Sequence, residues 1–213
     1  MKNLVVLMML SVALCSLEGC KKNTVPVEVF GDTLISAKTD RELPAPKLTQ
    51  DEVLIERNRE IIQKLKAGDY ISLADDIHPE KGIRFSMFAY ISDTDKLFSV
   101  EDFQKYVQTP IKFTWGKTDG EGKDVILSLA DYLKTWVFKR DFSIANVTVN
   151  EFQGHGNSLN NLPEKYPAAM FTENYISGTK QYSGMDWNAL RLVFAEFNGK
   201  FYLIAIVNDQ WTI

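Results

Sequence analysis

Cysteine and histidine, the residues that most often carry metal and nucleophile chemistry, are nearly missing: there are two of each among 213 residues. Cys15 and Cys20 both lie near the start of the chain, so there is no disulfide framework and no Cys/His cluster with metal-ligand spacing. No metal and no cofactor are expected. Nor does any apolar run reach the ~20 residues a helix needs to cross a bilayer. Basic residues are outnumbered, 24 Lys and Arg against 28 Asp and Glu, for a net charge of −4. Without a basic run the electrostatic footprint of a nucleic-acid binder is excluded. The absence of internal repeats excludes solenoids and propellers. What the chain does have is 45% hydrophobic and 12% aromatic residues, enough to bury a substantial core in one domain with appendages.

The N-terminus has the anatomy of a targeting segment. Lys2 precedes an apolar run over 4–14, followed by Leu17-Glu18-Gly19-Cys20, which resembles a bacterial lipoprotein signal with its lipobox. That resemblance implies a signal peptide over 1–19, cleavage before Cys20 and lipidation of Cys20. Cys15 leaves with the signal and Cys20 carries lipid, so no thiol remains for a disulfide, nucleophile or metal. Residues 20–47 are polar, with Pro26, Pro44 and Pro46, and read as a flexible tether spanning roughly 30 Å. The remaining 48–213 read as a single domain. Lys21-Lys22 lacks the Asp at the second position that resembles an inner-membrane retention signal, which implies the outer membrane, facing the periplasm. Asp32-Thr33-Leu34 resembles an O-glycosylation acceptor of bacterial envelope proteins.

The domain is organised around its last stretch. Two strand-like runs, 186–197 and 200–211, flank Asn198-Gly199, the dipeptide that best tolerates the two positive φ angles of a type I′ turn. A two-residue turn places Phe197 opposite Lys200, Arg191 opposite Ile206 and Trp187 opposite Gln210. Leu190, Leu192 and Phe194 then form an apolar face that helices or another sheet must cover. The other face carries Trp187, Ala189, Arg191, Val193 and Ala195 opposite Gln210, Asn208, Ile206, Ile204 and Tyr202. Apolar with a few polar groups, it is expected to stay free for a ligand or partner.

Upstream, Thr49 with Glu52 forms a capping box, and Val53, Leu54, Asn58, Ile61, Ile62 and Leu65 make a helical stripe that ends at Gly68. A short helix is expected over 70–77 and strands over 83–91, 111–115, 145–152 and 168–177. Ser99 with Asp102, and Ser128 with Asp131, open two further helices. His78, at a helix-to-strand corner beside Pro79, is a candidate base or ligand with Glu80 or Arg84 as partner; alternatively it bonds only to backbone. Asp119-Gly120-Glu121-Gly122 lacks the oxygen-ligand spacing of an EF-hand and reads as a solvated turn. His155 and Asn157, in a Gly- and Asn-rich loop, are candidates for a polar ligand. Gly156-Asn157-Ser158-Leu159-Asn160 lacks the last Gly of a nucleophile elbow. Glu173, mid-strand, faces either a pocket or water. Asp186, Trp187, Arg191 and Tyr202 complete the candidates.

Helices first and strands afterwards predict an α+β fold. The expectation is a curved antiparallel sheet with N-terminal helices packed on one face, closed by the C-terminal β-hairpin. The element order resembles the conical fold of the nuclear-transport-factor-two superfamily, which implies a cavity. The blocks beginning at His78-Pro79-Glu80-Lys81-Gly82, Phe113-Thr114-Trp115-Gly116, Gly156-Asn157-Ser158, Met185-Asp186-Trp187 and Asp209-Gln210-Trp211-Thr212-Ile213 together resemble an uncharacterised family of bacterial secreted or lipid-anchored proteins. Two functions remain open. One is a non-catalytic envelope lipoprotein that binds a small polar ligand, a glycan or a protein partner. The alternative is a hydrolase or isomerase working in a conical cavity with His78 or His155 as base and Glu173, Asp186 or Arg191 as polariser. A blander option pairs Arg191 with Asp186 on a homodimer surface.

Overall fold

The structure, a computed structural model, describes residues 48–212. The expected signal, Cys20, the tether and Asp32-Thr33-Leu34 lie outside them. Local signals set the first helix, α1 (Gln50–Ala67). The Thr49 side chain accepts from Glu52 N while the Glu52 carboxylate takes the Thr49 N–H at 2.8 Å, and Gly68 ends the helix at φ 69°. The reciprocal cap satisfies amides that have no partner inside the helix; the left-handed glycine closes the last turn without a Cβ penalty. A short helix α2 (Tyr70–Leu73) and a 3-10 turn (Ala74–Asp76) follow.

The first strand, β1 (Ile83–Ser86), is shorter than the sequence pattern suggests. The Ser86 hydroxyl is shared between Phe88 O (2.9 Å) and Tyr90 O (3.0 Å), which folds the chain back on itself. Next come β2 (Lys96–Phe98), α3 (Val100–Val107) and the hairpin β3 (Lys112–Lys117) and β4 (Asp124–Ser128). The helix α4 (Leu129–Tyr132) continues into a wider π turn (Leu133–Val137). The remaining elements are β5 (Asn146–Val149), α5 (Leu162–Lys165), β6 (Met170–Ile176), β7 (Asn188–Phe197) and β8 (Lys200–Gln210).

Six strands form one curved sheet in the order β2-β1-β8-β7-β6-β5, and β3-β4 stand apart. Every neighbouring pair is antiparallel except β1 with β8, which run parallel. Helices on one side of this sheet make the fold α+β, closed by the C-terminal hairpin. Leu54, Ile61, Ile62 and Leu65 of α1 pack in one core with Leu190, Leu192, Phe194 and Leu203. Each such side chain contributes about 1.5–3 kcal/mol on burial. Asn58, on the same stripe, is 3% exposed. It donates to Asn174 Oδ1 (2.8 Å) and accepts from Thr172 Oγ1 (2.7 Å) and Asn174 Nδ2 (2.8 Å). This network fixes α1 over β6 in one register.

The turn is as expected: Asn198 and Gly199 have φ 51° and 76°, and Phe197 pairs with Lys200. Beyond it the register differs. Phe194 lies opposite Leu203 but Val193 opposite Ala205, so Ile204 is an extra residue, a β-bulge. Arg191 consequently faces Val207 rather than Ile206, and Asn188 rather than Trp187 faces Gln210. Ile204 and Ala205, adjacent in sequence, both join the core on the sheet's second face. From there to the end of β8 the side chains exchange faces: Ile206 joins the helix-side core and Val207 the other.

That second face is not free. Leu162, Phe171, Val193, Ala195, Ile204 and Val207 form a second core beneath Phe152, Tyr166 and Ala169, and the rings of Phe152 and Phe171 stack at 4.5 Å. The chain over 150–169 roofs it. A face of Val, Ala and Ile is too apolar to leave in water, and this connection is long enough to cover it.

Candidate functional site

Arg191 and Glu173, expected on an accessible face, sit under this roof at 0% exposure. Arg191 donates through Nε to Glu173 Oε2 (2.7 Å) and through Nη2 to Asp209 Oδ2 (2.7 Å) and Gly154 O (3.3 Å). Glu173 Oε1 accepts from Gln153 N (2.6 Å) and Gly154 N (2.8 Å), and the guanidinium lies 4.8 Å from the Phe152 ring. Within this cluster Arg191 Nη1 has no hydrogen-bond partner among the described residues. This is a buried ion cluster that fastens the roof to the sheet. The bulge at Ile204 creates it, because in the bulge-free register Asn208, not Asp209, shares the face of Arg191. Burial pushes the Asp209 carboxyl up, and Arg191 beside it pulls the other way. Asp186 is not the partner of Arg191; it accepts from Thr179 N (2.6 Å) and Thr179 Oγ1 (3.0 Å), pinning its own loop and lowering its pKa.

His78 is 1% exposed and its Nδ1 accepts from two amides, Glu80 N and Lys81 N, each at 3.1 Å. The ring proton therefore sits on Nε2 and the ring is neutral. Burial pushes its pKa down, and Lys81 adds to that. Phe197 and Tyr202 surround it at 5.2 and 6.2 Å. Glu80 thus serves His78 through its backbone N–H, with its side chain exposed. Arg84 Nη1 donates to the carbonyls of Ser92 (3.0 Å), Asp93 (3.4 Å) and Asp95 (3.2 Å), holding a loop. Tyr202 is half-buried under the Lys200 ammonium at 4.8 Å. His78 and Tyr202 belong to the turn end of the hairpin, whereas Arg84 lies opposite Ala205 in the middle of β8.

His155, Asn157, Asp186 and Trp187 gather at the opposite, open end. Trp187 is 5% exposed. A Cβ on Gly154 or Gly156 would stand 2.6 or 3.0 Å from its indole, so both glycines are needed for the loop to close over it. His155 between them is exposed. Asn157 Nδ2 donates to Thr212 O (3.1 Å) and Ser158 shares a 3.0 Å hydrogen bond with the Thr212 hydroxyl.

Beside Trp187 opens a cleft of about 330 Å³ lined by Lys139, Arg140, Asp186, Gln210 and Trp211 among others. Trp211 is 38% exposed. Lys139 bonds to Gln210 Oε1 and lies 5.6 Å from the Trp136 ring. Burial, reinforced by Arg140, holds its pKa down at about 8, while Asp209 behind it pulls upward. Arg140 makes one long bond, Nη1 to Asp186 O at 3.4 Å. Neither cation has a salt bridge among the described residues. Sequence reasoning missed both. Basic residues just after a helix look like ordinary dipole partners; the doublet itself, following Trp136, is the signal that was there to find. His78, Glu173, Arg191 and the Asn157 loop do not converge on one cavity.

No family model matches the chain, and no curated protein matches its sequence. Among solved structures, a designed protein whose name carries the label NTF2 aligns with 72% of this chain and 95% of its own, at 13% identity and a TM-score of 0.33. A likeness of that size carries no argument about function. Among the described residues no helix is long and apolar enough to cross a membrane, and no group of three or more His, Cys, Asp or Glu could hold a metal ion.

Proposed function

We propose that this chain is a lipid-anchored envelope protein of the outer membrane, facing the periplasm, whose folded domain is a non-catalytic module binding a small anionic ligand at the open end of the hairpin. The observation that carries the binding reading is the unpaired cation doublet. Lys139 and Arg140 stand together, half-buried, in a chain of net charge −4, in a cleft also lined by Trp187 and Trp211. Asp186 lines the same cleft and Asp209 lies behind Lys139, but neither carboxylate forms a salt bridge with the doublet among the described residues, so two partly desolvated cations remain for an anion to neutralise. An Arg guanidinium with free N–H groups binds carboxylate or phosphate in bidentate fashion. The anchor rests on the sequence around Cys20.

Thermal unfolding with glucuronate, citrate and inorganic phosphate tests the binding. At least one should raise the transition temperature, and Arg140→Ala should remove that rise. No response to any of the three would sink the reading. Cys20→Ala should release the chain from the membrane fraction; unchanged fractionation would remove the anchor. The alternative with a histidine base gains no support from this arrangement. His78 Nδ1 is occupied by two amides, and His155 lies at the other end of the ten-residue strand β7.

A further inference from the structure

A second cleft, of about 390 Å³, adjoins the first and is not absorbed by the reading above. It is lined by Phe88, Tyr90, Asp119, Asn157, Ser158 and Thr212, and the Asp119 carboxylate makes it a place for the hydroxyls of a sugar rather than for its acid group. The two linings have no residue in common, but they meet in the sequence at Trp211, which lines the first, and Thr212, which lines the second. Its aromatic side is rigid. Tyr90, 52% exposed, precedes Ile91, whose amide and carbonyl are both held by the Asn161 side chain (2.8 and 3.1 Å). Phe88 packs edge-on against Trp136 at 5.9 Å, the same ring that carries the Lys139 ammonium. The polar side is fixed too. The Asn157 and Ser158 bonds to Thr212 hold the loop in place and leave the Asn157 amide oxygen as an acceptor with no partner among the described residues.

Resting on the anion-binding reading, we infer that the ligand is an acidic oligosaccharide lying across both clefts. One ring places its carboxylate or sulfate at Lys139 and Arg140. A neighbouring ring lies on Tyr90, with its hydroxyls on Asn157 and Ser158. Exposed aromatic rings on rigid backbone take up the apolar C–H face of a sugar at little entropic cost. Convergent amide and hydroxyl groups beside them satisfy its O–H groups. The exposed Trp211, in the lining of the first cleft and next in sequence to Thr212 of the second, offers a further ring for the chain.

The test is calorimetric titration of the whole domain with a panel of acidic tetrasaccharides (oligogalacturonate, chondroitin-derived and heparin-derived) and the corresponding monosaccharides. A tetrasaccharide should bind at least about ten-fold more tightly than its monosaccharide, as expected for one added aromatic anchor. Tyr90→Ala should bring the tetrasaccharide down to the monosaccharide's affinity and leave the monosaccharide unchanged, whereas Arg140→Ala should weaken both. Equal affinities for long and short ligands, or a Tyr90→Ala protein that keeps full tetrasaccharide affinity, would overturn the two-cleft inference while the anion reading stands. Saccharides that fail to bind where citrate or phosphate still does would likewise overturn the inference alone. No binding by any anion would overturn both.

Discussion

Arg191 and Arg140 make the comparison from which most of this protein can be understood. Arg191 is fully enclosed, held by Glu173 and Asp209 at 2.7 Å each, and its guanidinium ties the 153–154 backbone to the sheet. Arg140 stands at a cleft beside Asp186, with one long bond to that residue's carbonyl and no salt bridge among the described residues. The residue type is the same and the roles are opposite. An enclosed cation must bring its own counter-charge because water cannot supply one. A cation at a cleft can wait for a counter-charge from outside. The two regions are linked through Asp209, which bonds Arg191 on one side and raises the pKa of Lys139 on the other.

The largest break in this comparison comes from removing Arg191. Arg191→Met strands Glu173 and Asp209 together in the core and should cost about 3–5 kcal/mol, because a buried charge has lost its partner. A urea unfolding midpoint measures it, and a loss below about 1 kcal/mol would mean that the cluster is not sealed. Replacing Glu173, Arg191 and Asp209 together by apolar residues should recover much of that loss. Gly154→Ala should cost about 1–3 kcal/mol, since its Cβ would meet the Trp187 ring at 2.6 Å in a packed interior. Tryptophan fluorescence during unfolding reports whether the indole has moved.

Arg140→Ala sharpens the contrast from the other side. Its stability should stay within about 0.5 kcal/mol of the parent, as for a half-buried side chain that makes one long hydrogen bond and no salt bridge, while anion affinity falls. The pH dependence of Lys139 tests the same end of the molecule. Its pKa is about 8 in the fold against the ordinary 10.5. Between those values the unfolded chain holds the extra proton, so this group makes stability rise with pH across that window, and its penalty is complete below about 8. Anion affinity should move the other way, weakening as pH climbs through about 8. Unfolding at about pH 7 and about pH 9.5 should show the stability gain in the parent and not in Lys139→Met.

Much of this architecture was legible in local patterns. The Thr49–Glu52 cap, the Gly68 stop, the Ser99 and Ser128 caps and the Asn198-Gly199 turn depend on neighbours within a few residues, and all stand where the residues indicated. The strand β2 was not legible, because three residues carry no periodicity, and β4 was lost behind the glycines of its loop. The α1 stripe was legible as a buried face; that its Asn58 bonds to Asn174 and Thr172 far along the chain was not. Among the candidate residues, Asp186, Trp187, His155 and Asn157 share one end of the hairpin. His78, Arg84 and Tyr202 stand elsewhere, committed to backbone or ring contacts. Glu173 and Arg191 are paired out of reach of solvent.

The amino-acid sequence by itself determined the caps, the turn and the α+β class, because each follows from backbone chemistry acting over a few residues. Only the tertiary structure decided the bulge at Ile204. The run 201–207 is apolar on both faces, so the hydrophobic pattern does not distinguish one register from the next. Packing under the 150–169 roof chose between them. That choice set Asp209 beside Arg191 and so sealed that arginine within the fold.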